Sequence, residues 1–213
     1  MISGVILAGG ARDKIDGVYP EFLRIGSESI LTRQISEMQS LCDETIIVTD
    51  EPRTYLEFVP RSVRIITDFY GGSGPLGGLH AAFALAKHPS LWVTAQGMPF
   101  VSAPLAKLLH EHMNAFGHDA VMPRQDGRLQ PWHGLYRQAC LEDIVALLEA
   151  GERSWKALFD RISWDVLDET LWHGLGQGSC CTLRIRNAED YGKAVILQQT
   201  YVDNRPNSTS GRA

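Results

Sequence analysis

Met1-Ile2-Ser3-Gly4-Val5-Ile6-Leu7-Ala8-Gly9-Gly10 reads as a buried strand that runs straight into a glycine turn. A strand that ends this way ahead of a helix leaves backbone N–H groups uncommitted and pointing in one direction. Such groups suit a phosphate, because an anion satisfies them and glycine puts no side chain in its path. The same pattern also serves as an ordinary corner in an α/β protein. The rest of the chain has to choose between the two.

Working outward, strand-like runs fall at Gly4–Leu7, Thr45–Thr49, Arg64–Thr67, Leu91–Ala95, Ala120–Met122, Gly134–Arg137, Trp164–Leu167 and Cys181–Ile185. Several are short, β-branched and apolar on both faces, as strands covered on both sides are. Helical patterns alternate with them: Ile30–Leu41, Leu76–Lys87, Pro104–Phe116, Leu141–Ala150, Ser154–Ile162 and Ala188–Gln199. Ser102 is placed to cap the third of these, Pro104 suits its first turn, and Gly151 suits the end of the fourth. The alternation predicts a three-layer α/β/α sandwich with a Rossmann-like, mostly parallel sheet. Ligands of such sheets bind beyond the carboxyl ends of the strands. That rule points at the loops Ala8–Gly26, Asp68–Gly78 and Gln96–Ala103, and at the segment before Ala188.

At 213 residues and 44% hydrophobic content, the chain is long and apolar enough to bury a core without disulfides. We expect a single domain over residues 1–200, followed by a polar, disordered tail at 201–213. A net charge of −5 argues against nucleic-acid binding. No apolar run reaches the roughly 20 residues of a membrane span, and the start lacks the pattern of a signal peptide, so we expect a cytoplasmic protein with no membrane partner. Cys42, Cys140, Cys180 and Cys181 lack metal-ligand spacing and read as reduced, mostly buried thiols.

Three further segments carry chemistry. Asp68-Phe69-Tyr70-Gly71-Gly72-Ser73-Gly74-Pro75-Leu76-Gly77-Gly78-Leu79 follows a strand and opens a helix. Asp68 is placed to hold a ribose, a base edge or a cation, or to act simply as a turn carboxylate. The helix start after Gly74-Pro75 favours an anion. Gln96-Gly97-Met98-Pro99-Phe100 follows another strand. In Gln130-Pro131-Trp132-His133-Gly134-Leu135-Tyr136, Trp132 and His133 either wall a base pocket or belong to core and rim.

Taken in order, Leu7-Ala8-Gly9-Gly10, Gly74-Pro75-Leu76-Gly77-Gly78, Met98-Pro99-Phe100, Gln130 to Tyr136 and Ala150-Gly151-Glu152-Arg153-Ser154 resemble the molybdenum cofactor guanylyltransferases, a family of MobA-like nucleotidyltransferases. The likeness runs from near residue 3 to near residue 196. It implies a nucleotide-diphospho-sugar transferase type of fold and transfer of GMP from GTP to molybdopterin, with release of pyrophosphate and help from Mg²⁺. It implies a nucleotide site at Leu7, Ala8, Gly9, Gly10, Asp68, Gly74 and Pro75, with acceptor contacts from Gln130, Trp132 and His133. Molybdopterin or a related phosphorylated acceptor, and proteins of molybdoenzyme maturation, are the partners it implies.

The chain departs from the family pattern where the charge is greatest. The lysine the family carries after its paired glycines falls near Pro20, with Arg12 and Lys14 as the nearby cations. The aspartate that serves the family as a metal ligand falls at Gly97, which leaves Asp68 as the remaining metal candidate. Two family asparagines fall at Arg184 and Arg186. If Cys181–Ile185 is a strand, these arginines share one face and Ile185 takes the other. A guanidinium then stands in part for the missing ion, and Arg12, Lys14 and Arg186 are the catalytic candidates. Two readings stay open: a nucleotidyltransferase acting on molybdopterin or with another base or acceptor, and a non-catalytic homologue that binds nucleotide or molybdopterin.

Overall fold

The computed structural model describes residues 1–10, 13–175 and 180–203. In chain order the elements are β1 (Ile2–Leu7), a small hairpin of β2 (Arg24–Ile25) and β3 (Glu28–Ser29), α1 (Ile30–Gln39), β4 (Glu44–Val48), the single turn α2 (Pro52–Tyr55), β5 (Val63–Ile66), α3 (Gly74–Leu85) and β6 (Ser90–Ala95). Then follow α4 (Ala103–Phe116), β7 (Ala120–Gln125), β8 (Arg128–Leu129), β9 (His133–Arg137), α5 (Leu141–Glu149), β10 (Trp164–Asp168) and α6 (Ala188–Asp203).

The main sheet runs β10-β7-β9-β6-β1-β4-β5, and β8 hangs on β7 as a short hairpin. The pairs β1–β4, β1–β6, β4–β5 and β7–β10 are parallel. β9 is inserted antiparallel between β6 and β7. Strand order reverses at β1: the chain builds β4 and β5 on one side, then crosses to β6 on the other. A crevice opens beyond the strand ends at such a reversal.

Alternation along the strands explains the three layers. Val5 and Leu7 of β1, with Ile46 and Val48 of β4, pack against Leu76, Leu79 and Phe83 of α3 and Ile144 and Leu147 of α5. Ile2, Ile6 and Ile47 point the other way, onto Leu31, Ile35 and Met38 of α1 and Leu105 and Leu109 of α4. Ser102 caps α4 as expected, its hydroxyl accepting from Leu105 N. The turn after α5 closes through Glu152 N donating to Leu147 O, with Gly151 at φ +77°.

Four expectations need correction. Cys181–Ile185 is not a strand: it is a turn followed by extended chain outside the sheet, because β10 already forms that edge. Ser154–Ile162 holds a 3-10 helix, Trp155–Asp160, in place of an α-helix. α3 begins at Gly74, two residues ahead of Leu76. α6 continues to Asp203, so the first three residues of the expected tail are helical; residues 204–213 lie outside the described residues. The four cysteines are free, and Cys140, Cys180 and Cys181 are buried. Among the described residues no helix is long and apolar enough to cross a membrane.

Candidate functional site

A cavity of about 530 Å³ opens at the carboxyl ends of β1, β4, β5 and β6. The sheet brings those ends together through Ala8 N, which donates to Val48 O at 2.7 Å, and Gln96 N, which donates to Leu7 O at 2.9 Å. Beyond Ala8 the ladder stops, and Gly9 and Gly10 line the cavity, both exposed. Across from them stand Gly71, Gly72, Gly74 and Pro75, which lead into the first turn of α3. Ser73 offers that helix no side-chain cap, so its first amides remain for a ligand.

Asp50 and Asp68 are the carboxylates of this cavity. Asp68 is half-buried, and its Oδ1 accepts from Tyr70 N at 2.7 Å, so it closes its own turn while it lines the cavity. Its carboxylate lies flat against α3: a Cβ on Gly77 would stand 2.3 Å from Asp68 Oδ2. Glycine at 77 is what admits the carboxylate.

A second cavity, of about 800 Å³, adjoins the first. Its charged lining is Arg128, Arg184 and Arg186 against Asp126 alone. The expected acceptor residues Gln130, Trp132 and His133 all line it. Trp132 is half-buried and stacks on Trp155, with centroids 4.6 Å apart and planes 25° apart. His133 is fully buried. Its Nε2 accepts from Ser102 N at 2.9 Å, so the ring proton sits on Nδ1. Burial holds its pKa down, to about 4. The ring is a neutral spacer that positions α4, set behind the cavity wall. Arg186 is exposed, and its Nε donates to Asp190 Oδ2 at 3.2 Å. Lys14 is exposed, lies over the Tyr19 ring and lines neither cavity. Arg12 lies outside the described residues.

The sequence profile of the MobA-like NTP transferase domain matches residues 4–163. The chain belongs to this MobA-like family. A probable molybdenum cofactor guanylyltransferase of Pelotomaculum thermopropionicum is 27% identical over 99% of the chain and 96% of its own length. A molybdenum cofactor guanylyltransferase of Desulfosudis oleivorans is 25% identical over 91% of the chain and 94% of its own length. The crystal structure of molybdopterin-guanine dinucleotide biosynthesis protein A from Archaeoglobus fulgidus superposes with a TM-score of 0.77 at 18% identity, over 92% of this chain and 99% of that one. The fold is that of the nucleotide-diphospho-sugar transferases.

Gly97, Pro20 and the segment before α6 meet at one place. Gly97, at φ +78°, is tucked under the segment before α6: its O accepts from Ile185 N at 2.8 Å. A Cβ at 97 would stand 2.9 Å from Ile185 O and 3.6 Å from Pro20 Cβ. The glycine is therefore demanded by the backbone that covers it. Pro20 is buried in the same spot. Magnesium needs oxygen ligands in near-octahedral array. Among the described residues the side chains shared by the two cavities are Trp132 and Arg184, an indole and a cation, and the lining carboxylates Asp50 and Asp68 belong to the first cavity. A protein-held Mg²⁺ between the cavities does not fit these residues.

Sequence reasoning named Arg184 only together with Arg186, and the strand assumed there gave both one face. Both line the second cavity, and only Arg184 lines the first as well. Among the described residues, one group with three candidate metal ligands exists: His112, His118 and Asp165. It sits at the start of β10, away from both cavities, and His112 Nε2 is hydrogen-bonded to Asp165 Oδ2 at 2.7 Å.

Proposed function

We propose that this chain is a nucleotidyltransferase that moves GMP from GTP to molybdopterin or a closely related phosphorylated acceptor. One observation carries the reading: a glycine-lined cavity at the strand ends shares a wall with a basic one. The first suits a nucleoside triphosphate and the second a phosphate-bearing acceptor. The names borne by the relatives agree with both halves.

In this reading the triphosphate lies along Gly9 and Gly10 and reaches toward the first turn of α3, where amides and the helix dipole favour negative charge. Asp50 and Asp68 lie toward the nucleoside. A carboxylate accepts from the N1–H and 2-amino group of guanine or from a ribose diol, and the guanylyltransferase names of the relatives favour GTP. The acceptor occupies the second cavity against Trp132 and Gln130, with Arg128 and Arg186 at its margin. An acceptor phosphate oxygen attacks the α-phosphorus; the new O–P bond forms as the bond to the β-phosphate oxygen breaks, and pyrophosphate leaves. The protein's contribution is positioning and charge stabilisation. Mg²⁺ enters only as the counter-ion a triphosphate carries from solution.

The second reading, binding without turnover, draws on Gly97, where no carboxylate faces the phosphates. One assay decides between the two. Pyrophosphate release is measured with GTP and molybdopterin, against controls lacking acceptor or protein. Acceptor-dependent release is expected. Tight GTP binding with no release above the controls would leave the binding role.

A further inference from the structure

Trp132 and Arg184 line both cavities. Arg184 is half-buried, and among the described residues it has no hydrogen bond or ion pair. Its charged surroundings are unequal: burial and the neighbouring Arg186 disfavour its charge, and Glu21 opposes them. Glu21 is itself buried, with Oε1 accepting from Tyr55 OH at 2.6 Å. A guanidinium cannot escape this situation by losing its proton. Withdrawn from water and without a hydrogen-bonded anion among the described residues, it is costly. The backbone nevertheless holds it in place from both sides: Leu183 N donates to Cys180 O at 3.0 Å, and Ile185 N donates to Gly97 O at 2.8 Å.

We propose that Arg184 is a fixed phosphoryl-binding subsite shared by the two cavities, which grips the nucleotide and acceptor phosphates where they meet and supplies the charge that no carboxylate-held ion supplies there. The proposal rests on the nucleotidyltransferase reading of the two cavities. The other cations are less suited. Arg186 is 71% exposed at its side chain and paired with Asp190, and Arg128 is exposed. Arg184 alone of the three combines a half-buried place, an unused fork of donors and a position between the ligands. Five N–H groups in a plane can bridge oxygens of two phosphates at once. Charge placed in advance on the oxygens around the α-phosphorus is the kind that an in-line displacement uses.

The test is calorimetric titration of the full chain with inorganic pyrophosphate and, separately, with GTP, each in excess EDTA and in Mg²⁺. The proteins are wild type, Arg184→Ala, Arg184→Lys and, as a charge-matched control, Arg61→Ala at the exposed opposite end of the sheet. Wild type is expected to bind both ligands in EDTA. Arg184→Ala should weaken both by about tenfold or more, Arg184→Lys should fall between, and Arg61→Ala should stay within about twofold of wild type. If Arg184→Ala does not fold, Arg184→Lys and Arg184→Gln carry the comparison. Arg184 variants that bind as Arg61→Ala does would overturn the subsite and leave the nucleotide reading standing. Wild-type binding seen only with Mg²⁺ would overturn the charge replacement. Absence of any GTP binding to wild type would remove the nucleotide reading and the subsite with it.

Discussion

The two walls of the nucleotide cavity are built on different principles. On the β1 and α3 side, Gly9, Gly10, Gly72 and Gly74 present backbone. On the other side, Arg184 lines the cavity from a segment packed over Gly97 and Pro20, neither of which lines it. The first wall addresses an anion with amides, which substitution of side chains barely touches. The second addresses it with one guanidinium, carried on a segment that lies directly over Gly97. The difference teaches that the departures form one rearrangement. Once Ile185 O occupies the space in front of residue 97, no side chain fits there, and the charge must come from the covering segment.

The largest expected effect tests that second wall. Gly97→Asp places a carboxylate there, but it meets a positive φ and a carbonyl 2.9 Å from its Cβ. It should lose about 3 kcal/mol of stability in urea denaturation, from backbone strain and overpacking. A variant as stable as wild type that gained Mg²⁺-dependent GTP binding would break the contrast between the walls.

A smaller effect concerns His133, behind the second cavity. Its folded pKa of about 4 lies below the unfolded value of about 6.5. The unfolded chain therefore takes up a proton first as pH falls, and stability drops across the window between those values. The expected loss is about 2 kcal/mol between pH 7 and pH 5 from this residue. Denaturation curves of wild type and His133→Asn at the two pH values should show a shallower dependence in the variant. Parallel dependence would mean the ring is already charged or exposed.

The smallest effect sharpens the first wall. Gly77→Ala should destabilise wild type by about 1 kcal/mol, because the new Cβ displaces the Asp68 carboxylate. In an Asp68→Ala background the same change should stabilise by a few tenths of a kcal/mol, up to about 1, through helix propensity. Equal effects in both backgrounds would show that Asp68 does not rest on α3.

Much of the fold and of the first wall was legible because the signals are local. The run Val5-Ile6-Leu7 into Gly9-Gly10, the cap at Ser102 and the stop at Gly151 each need only a few neighbouring residues. The second wall was not. Cys181-Thr182-Leu183 has strand-like composition, yet the sheet has no partner for it, and composition does not report which edge is already taken. The bond from Ile185 N to Gly97 O joins residues far apart in sequence, so the relation between a missing aspartate and an added arginine appears only in three dimensions. The β7–β8 hairpin was missed for a different reason. Its turn, Asp126-Gly127, with both residues at positive φ, is a strong local hairpin signal, and the strand reading stopped at Met122 before reaching it.

The glycine-lined rim is proposed to hold a nucleoside triphosphate with Arg184 at its phosphates. A crystal structure of the chain with a non-hydrolysable GTP analogue tests it most directly. The account predicts a triphosphate along Gly9, Gly10 and the start of α3, with an Arg184 nitrogen within hydrogen-bond distance of a phosphate oxygen. A nucleotide bound elsewhere, or phosphates held by a carboxylate-ligated metal with Arg184 turned away, would contradict it.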